Sequence, residues 1–135
     1  MGCSVLKWDQ KLSVGVESMD LQHRYFIDLL NRLVLELEGS DTEYQVRLID
    51  ELSGYAKQHF ISEENIMYKL SYPDLKEHTE SHQLLLERLN GQIGLYLLGM
   101  LDAGEIAHYL SKWLAQHVVK EDRKFGDFIA EVKTS

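Results

Sequence analysis

Apolar positions recur at the helical period along most of the chain. Residues 23, 26, 27, 30, 33, 34 and 37 are apolar or His and form one stripe, and Gly39 beyond it is suited to a C-cap, so a helix is predicted over roughly 19–38. The run Ser40-Asp41-Thr42-Glu43 reads as a capping box that opens a second helix over 41–70. Its inward stripe is Ile49, Leu52, Ala56, His59, Glu63, Ile66 or Met67, and Leu70, and it stops before Pro73. Leu75, His78, His82, Leu85, Leu89 and Ile93 make a third stripe, giving a helix over 74–98 that Gly91 and Gly94 weaken in its second half. Asp102 to Glu105 looks like another cap, and Ile106, Leu110, Trp113, Leu114 and His117 place a fourth helix over 102–120. A short helix over 122–132 is expected to follow.

Four helices of about twenty residues with short connections predict an all-α fold, an antiparallel up-down-up-down four-helix bundle. Residues 1–18, with Trp8, Leu12, Val14 and Val16, form an extended N-terminal arm across it. No hairpin signal, repeat or low-complexity segment is present, and 135 residues suit a single domain over 1–135.

Composition narrows the function classes. A net charge of −8 repels phosphate backbones, so nucleic acid is not expected as a partner. There is neither a signal-like apolar run at the start nor a stretch of the ~18 apolar residues a membrane span needs. A cytoplasmic protein without membrane insertion is expected. The opening Met-Gly-Cys resembles a lipidation signal, but that pattern wants Ser or Thr where Leu6 stands. Cys3 has no second cysteine to pair with and is read as incidental.

Every predicted helix carries a His on its apolar stripe, and two bring carboxylates: His23; His59 and Glu63; His78 and His82; His117 followed by Asp122. Buried carboxylates are seldom found unless paired or bound to metal. Residues four apart on a helix project from one face about 6 Å apart, so His59 with Glu63, and His78 with His82, can each converge on a point in the bundle axis. A lone HxxxH is a weak signal, because a His on an apolar stripe is more often a hydrogen-bonded core residue. Five of the six histidines and two carboxylates converging from four helices is a strong one. His108 faces away from the Ile106 and Leu110 stripe and is left out. Asp122 follows His117 by five residues, about 140° round a regular helix, so the helix is expected to be broken, tightened or bulged between them.

Seven ligands exceed the four that one zinc takes, so two metals are implied, and imidazole with carboxylate suits iron. Five neutral imidazoles supply less negative charge than the four carboxylates of ferritin-like di-iron enzymes, which points to binding and releasing dioxygen rather than to oxygenation.

The chain resembles the bacteriohemerythrins of the hemerythrin family over nearly its whole length. The resemblance rests on Trp8, Val14-Gly15-Val16 and Asp20-x-Gln22-His23, on His59-Phe60-x-x-Glu63-Glu64 with Met67, and on Tyr72-Pro73 with His78-x-x-x-His82. Trp113-Leu114-x-x-His117-x-x-x-x-Asp122 completes it. It implies that His78, His82 and His117 bind one iron and His23 and His59 the other. Glu63 and Asp122 would bridge the pair together with an oxo or hydroxo group, and dioxygen would take the open position on the second iron. It further implies that Phe60, Trp113 and Leu114 line the oxygen pocket. Glu64, about 100° round the helix from Glu63, is expected at the surface or just outside the ligands.

Within that family the same centre serves carriers or stores of dioxygen and also sensors joined to signalling domains such as diguanylate cyclases or chemoreceptors. A chain ending at Ser135 fits a carrier and would equally fit a sensory domain of a longer protein with an attached output domain. A peroxide- or nitric-oxide-handling enzyme is the remaining alternative. The expectation is that the protein is not an enzyme.

Overall fold

The computed structural model describes residues 8–36, 39 and 41–134; Cys3, Leu6, Leu37 and Ser40 lie outside the described residues. Four long helices, α1 (Glu17–Glu36), α2 (Thr42–Lys69), α3 (Leu75–Leu97) and α4 (Ala103–His117), pack as a closed ring in the order α1, α2, α3, α4 and back to α1. Short connections make consecutive helices antiparallel, which is the four-helix bundle expected from the stripes. No strand occurs among the described residues, and no helix among them is long and apolar enough to cross a membrane.

Local chemistry sets the helix ends. Asp41 and Asp102 cap α2 and α4, their carboxylates accepting from the backbone N–H of Tyr44 at 2.8 Å and Glu105 at 2.8 Å. The stop of α2 is a Schellman turn, with Tyr72 N–H donating to Met67 C=O and Ser71 in the left-handed region at φ 56°. Leu70, which the hydrophobic period puts on the inward stripe, is therefore the cap and is exposed. Helix α3 runs through Gly91 and Gly94 and ends in a second such turn at Gly99.

The largest departure from expectation lies at the other end. The hydrophobic pattern predicts a fourth helix ending at 120 and a short one from 122, whereas the chain continues from α4 through a π-helical turn, Val118–Asp122, directly into α5 (Arg123–Thr134). One residue inserted into a helix is absorbed by widening the turn to i→i+5 bonding, with no break in the backbone ladder.

The described part of the arm, from Trp8 to Val16, lies against the start of α1 and the π turn. Leu12 and Val14 are buried, and Asp20 on α1 accepts from Val14 N–H at 2.9 Å and Ser13 Oγ at 2.7 Å. Arg123 donates to the carbonyls of Lys11 and Ser13. On α5, Gly126 passes so close that a Cβ there would stand 1.8 Å from Val14 C=O.

The core fills the bundle on both sides of one polar layer. Leu29, Leu30, Leu33, Ile49, Leu52, Leu85, Leu89, Ile106 and Leu110 pack toward one end, and Met67, Tyr72 and Phe125 toward the other. Between them sit the residues that no apolar core would choose.

Candidate metal centre

His23, His59, Glu63, His78, His82, His117 and Asp122 meet in the bundle axis, none more than 4 % exposed. His108 is exposed, as its position off the stripe requires. The π turn completes the set. It brings Asp122 Oδ1 to 3.1 Å from His117 Nε2 although five residues separate them.

The donor atoms fall into two groups that share both carboxylates: Glu63, Asp122, His78, His82 and His117 on one side, and Glu63, Asp122, His23 and His59 on the other, each within 4.8 Å. The oxygens divide in the same way. Glu63 Oε1 lies 2.7 Å from His78 Nε2 and 3.2 Å from His82 Nε2, while Oε2 lies 3.1 Å from His59 Nε2 and 3.6 Å from His23 Nε2. Asp122 turns Oδ1 to His78 at 2.9 Å and to His117, and Oδ2 to His23 at 3.1 Å. All five imidazoles present Nε2 to the centre.

What stands behind the rings fixes their tautomers. His82 Nδ1 donates to Glu64 Oε2 at 2.7 Å, and His59 Nδ1 donates to Gln22 Oε1 at 2.6 Å. Each bond leaves Nε2 with a bare lone pair facing inward, the form a metal requires. Glu121 Oε1, held by Ser81 Oγ at 3.2 Å, stands 3.5 Å from His117 Nδ1. Of these three outer partners, the sequence places Glu64 at the surface or just outside the ligands and gives Gln22 and Glu121 no role of their own. Their positions follow from which helix flanks which, and the one available signal was their adjacency to His23, Glu63 and Asp122.

The cluster fits a metal better than it fits itself. His82 Nε2 and His117 Nε2 point at each other across 3.0 Å, and His23 Nε2, Glu63 Oε2 and both Asp122 oxygens are buried without a hydrogen-bond partner. Buried polar atoms are rarely left so, and a cation coordinated between them would satisfy all of these at once. Without it the groups share protons. Burial would lower the basicity of His23 and His78, but the facing carboxylates of Asp122 and Glu63 outweigh it and push each up to about 9. His117 is raised for the same reason. Glu63 and Asp122, which burial alone would raise, are held well below the ordinary carboxylate range by the surrounding histidines.

Aromatic rings wall the three-histidine side. Phe60 stacks on His82 at 3.9 Å and Trp113 on His117 at 4.3 Å, with Phe60 and Trp113 edge to face at 5.6 Å and Leu114 buried. Phe60 also stands 5.8 Å from His59, so its ring spans from one group to the other.

The sequence profile of the hemerythrin HHE cation binding domain matches residues 14–129, which includes all seven donors. The chain belongs to the hemerythrin family. It is similar to the bacteriohemerythrin of Stenotrophomonas maltophilia, 28% identical with 92% of this chain and 81% of that protein covered. It is also similar to the bacteriohemerythrin of Pseudomonas aeruginosa PAO1, 27% identical with 92% and 81% covered. A hemerythrin-like protein of Naegleria gruberi is 27% identical, with 90% of this chain and 92% of that protein covered. The hemerythrin domain here is thus a cation-binding bundle whose buried donors are suited to a metal centre.

Proposed function

We propose that this hemerythrin domain holds two iron ions, bridged by Glu63, Asp122 and an oxo or hydroxo group, and binds dioxygen reversibly for storage or transport in the cytoplasm. The observation that carries this reading is the division of each carboxylate's two oxygens between the two histidine groups. One oxygen per carboxylate gives five protein donors on the side of His78, His82 and His117 and four on the side of His23 and His59. His78, His82 and His117 with the two carboxylates would hold one iron, and His23 and His59 with the same carboxylates would hold the other with one protein donor fewer, which would leave room for dioxygen on that side.

When bound, an iron pair of this kind can lend two electrons to dioxygen and recover them on release. The protein's part is to hold and to exclude. The outer hydrogen bonds from His59 and His82 keep their donor atoms aimed, and Phe60, Trp113 and Leu114 form an apolar wall that limits water and protons, which slows irreversible oxidation. All five buried histidines are turned Nε2-inward as donors, which supports a binding protein rather than an enzyme that needs a free acid or base.

The test is the optical spectrum of iron-loaded, anaerobically reduced protein cycled between argon and air. A visible band that grows in air and vanishes under argon is expected. One-way conversion to a stable oxidised spectrum would contradict reversible binding and favour a redox sensor or an enzyme.

A further inference from the structure

The histidines of the two groups differ in what stands behind them, and the difference is one of charge. On the three-histidine side, His82 Nδ1 donates to the Glu64 carboxylate at 2.7 Å, and the Glu121 carboxylate faces His117 Nδ1 at 3.5 Å. On the two-histidine side, His59 Nδ1 donates to the neutral Gln22 amide at 2.6 Å; His23 Nδ1 and His117 Nδ1 are both buried without a hydrogen-bond partner, but His117 has the Glu121 carboxylate close by. Gln22 is itself fixed. Its amide nitrogen faces Ser62 Oγ at 3.5 Å and its backbone carbonyl accepts from Tyr55 O–H at 3.0 Å, so the amide oxygen is the atom offered to His59.

A carboxylate acceptor polarises an imidazole N–H more strongly than an amide does and makes the opposite nitrogen a better donor. An amide fixes the ring without that push. We propose, resting on the di-iron reading above, that Glu64 and Glu121 are positioning residues that make the His78, His82 and His117 site the tighter and more easily oxidised of the two. Gln22 keeps the open site the weaker, so that metal is loaded and lost in a set order. Neither carboxylate touches the metal positions; each acts through the ring it backs.

The experiment follows iron leaving the fully loaded, reduced protein into a ferrous chelator in excess, with a redox titration of the same samples. The wild-type protein is expected to release iron in two phases of equal amplitude. Glu64→Gln keeps a hydrogen-bond acceptor but removes the charge. It should accelerate the slow phase about tenfold or more, leave the fast phase in place and raise the midpoint potential. Gln22→Glu should slow the fast phase and lower the potential. Acceleration of both phases alike by Glu64→Gln, or an unchanged slow phase, would overturn the proposal, as would Gln22→Glu without effect on the fast phase. Should Glu64→Gln fail to fold, as judged by its helical circular dichroism, Gln22→Glu decides alone. Wild-type protein that takes up fewer than two irons per chain would instead refute the di-iron reading itself.

Discussion

His117 Nε2 and Asp122 Oδ1 stand 3.1 Å apart although a regular α-helix would turn residues five apart to directions about 140° from each other. The π turn Val118–Asp122 closes that angle, and it leaves Glu121 on the opposite edge of the same ring, beside Nδ1. The neighbouring carboxylate therefore cannot stand in for Asp122. On the proposed di-iron reading, Asp122→Ala is expected to lower bound iron from two per chain to one or fewer despite the intact Glu121, as measured by metal analysis after anaerobic loading. Full loading of that variant would show that Asp122 is not a bridge.

Glu63 reaches all five histidines, so its loss should be the most damaging of any single change at the centre. Glu63→Ala is expected to abolish loading of the pair, while His108→Ala, at an exposed position, leaves iron content at the wild-type level. Iron loss on replacing His108 would mean that the donor set is wrongly drawn.

The metal-free protein should be most stable in mildly acid solution. His23 and His78 are raised from 6.5 to about 9, so the folded state binds more protons than the unfolded chain between those values, and their contribution is lost as pH rises through that range. Glu63 and Asp122 are depressed below their ordinary 4.5 and 3.8, so their contribution is full above about 4.5 and falls away in acid. Thermal melts of metal-free protein should show the highest midpoint between about pH 4.5 and 6.5, with a fall on the order of 5 °C or more by pH 10. A midpoint that rises steadily to pH 9 would contradict this sign.

Gly126 is required by the arm, not by its own helix. A Cβ there would collide with the Val14 carbonyl, and backbone cannot swing aside as a side-chain tip can. Gly126→Ala, ordinarily favourable in a helix, is expected to destabilise the protein by about 1–3 kcal/mol in urea unfolding. Unchanged or increased stability would show that the arm does not seat as described.

Periodicity locates the four helices and six of the seven converging side chains, because a buried stripe repeats every three or four residues and ionisable groups on it are conspicuous; Asp122 falls off the period of His117. The mismatch between His117 and Asp122 even announced a distortion, though not that it would be a π turn running unbroken into α5. What stayed hidden depended on packing between helices. Glu64 reads as a residue at the surface or just outside the ligands, and only with α3 placed beside α2 does its partner emerge as His82. Gln22 gives no sign of holding His59, nor Gly126 of making room for Val14, because each relation joins segments distant in the chain. Leu70 was misplaced for a local reason: it carries the right period but falls at the cap, where the Schellman turn lifts it from the core.

If Glu63 and Asp122 join two irons into one centre, Mössbauer spectroscopy of oxidised protein loaded with iron-57, with iron counted per chain, will show it. Two ferric ions per chain coupled to a diamagnetic ground state are expected, since shared oxygen bridges couple their spins. A single iron per chain, or two ions with independent magnetic spectra, would contradict it.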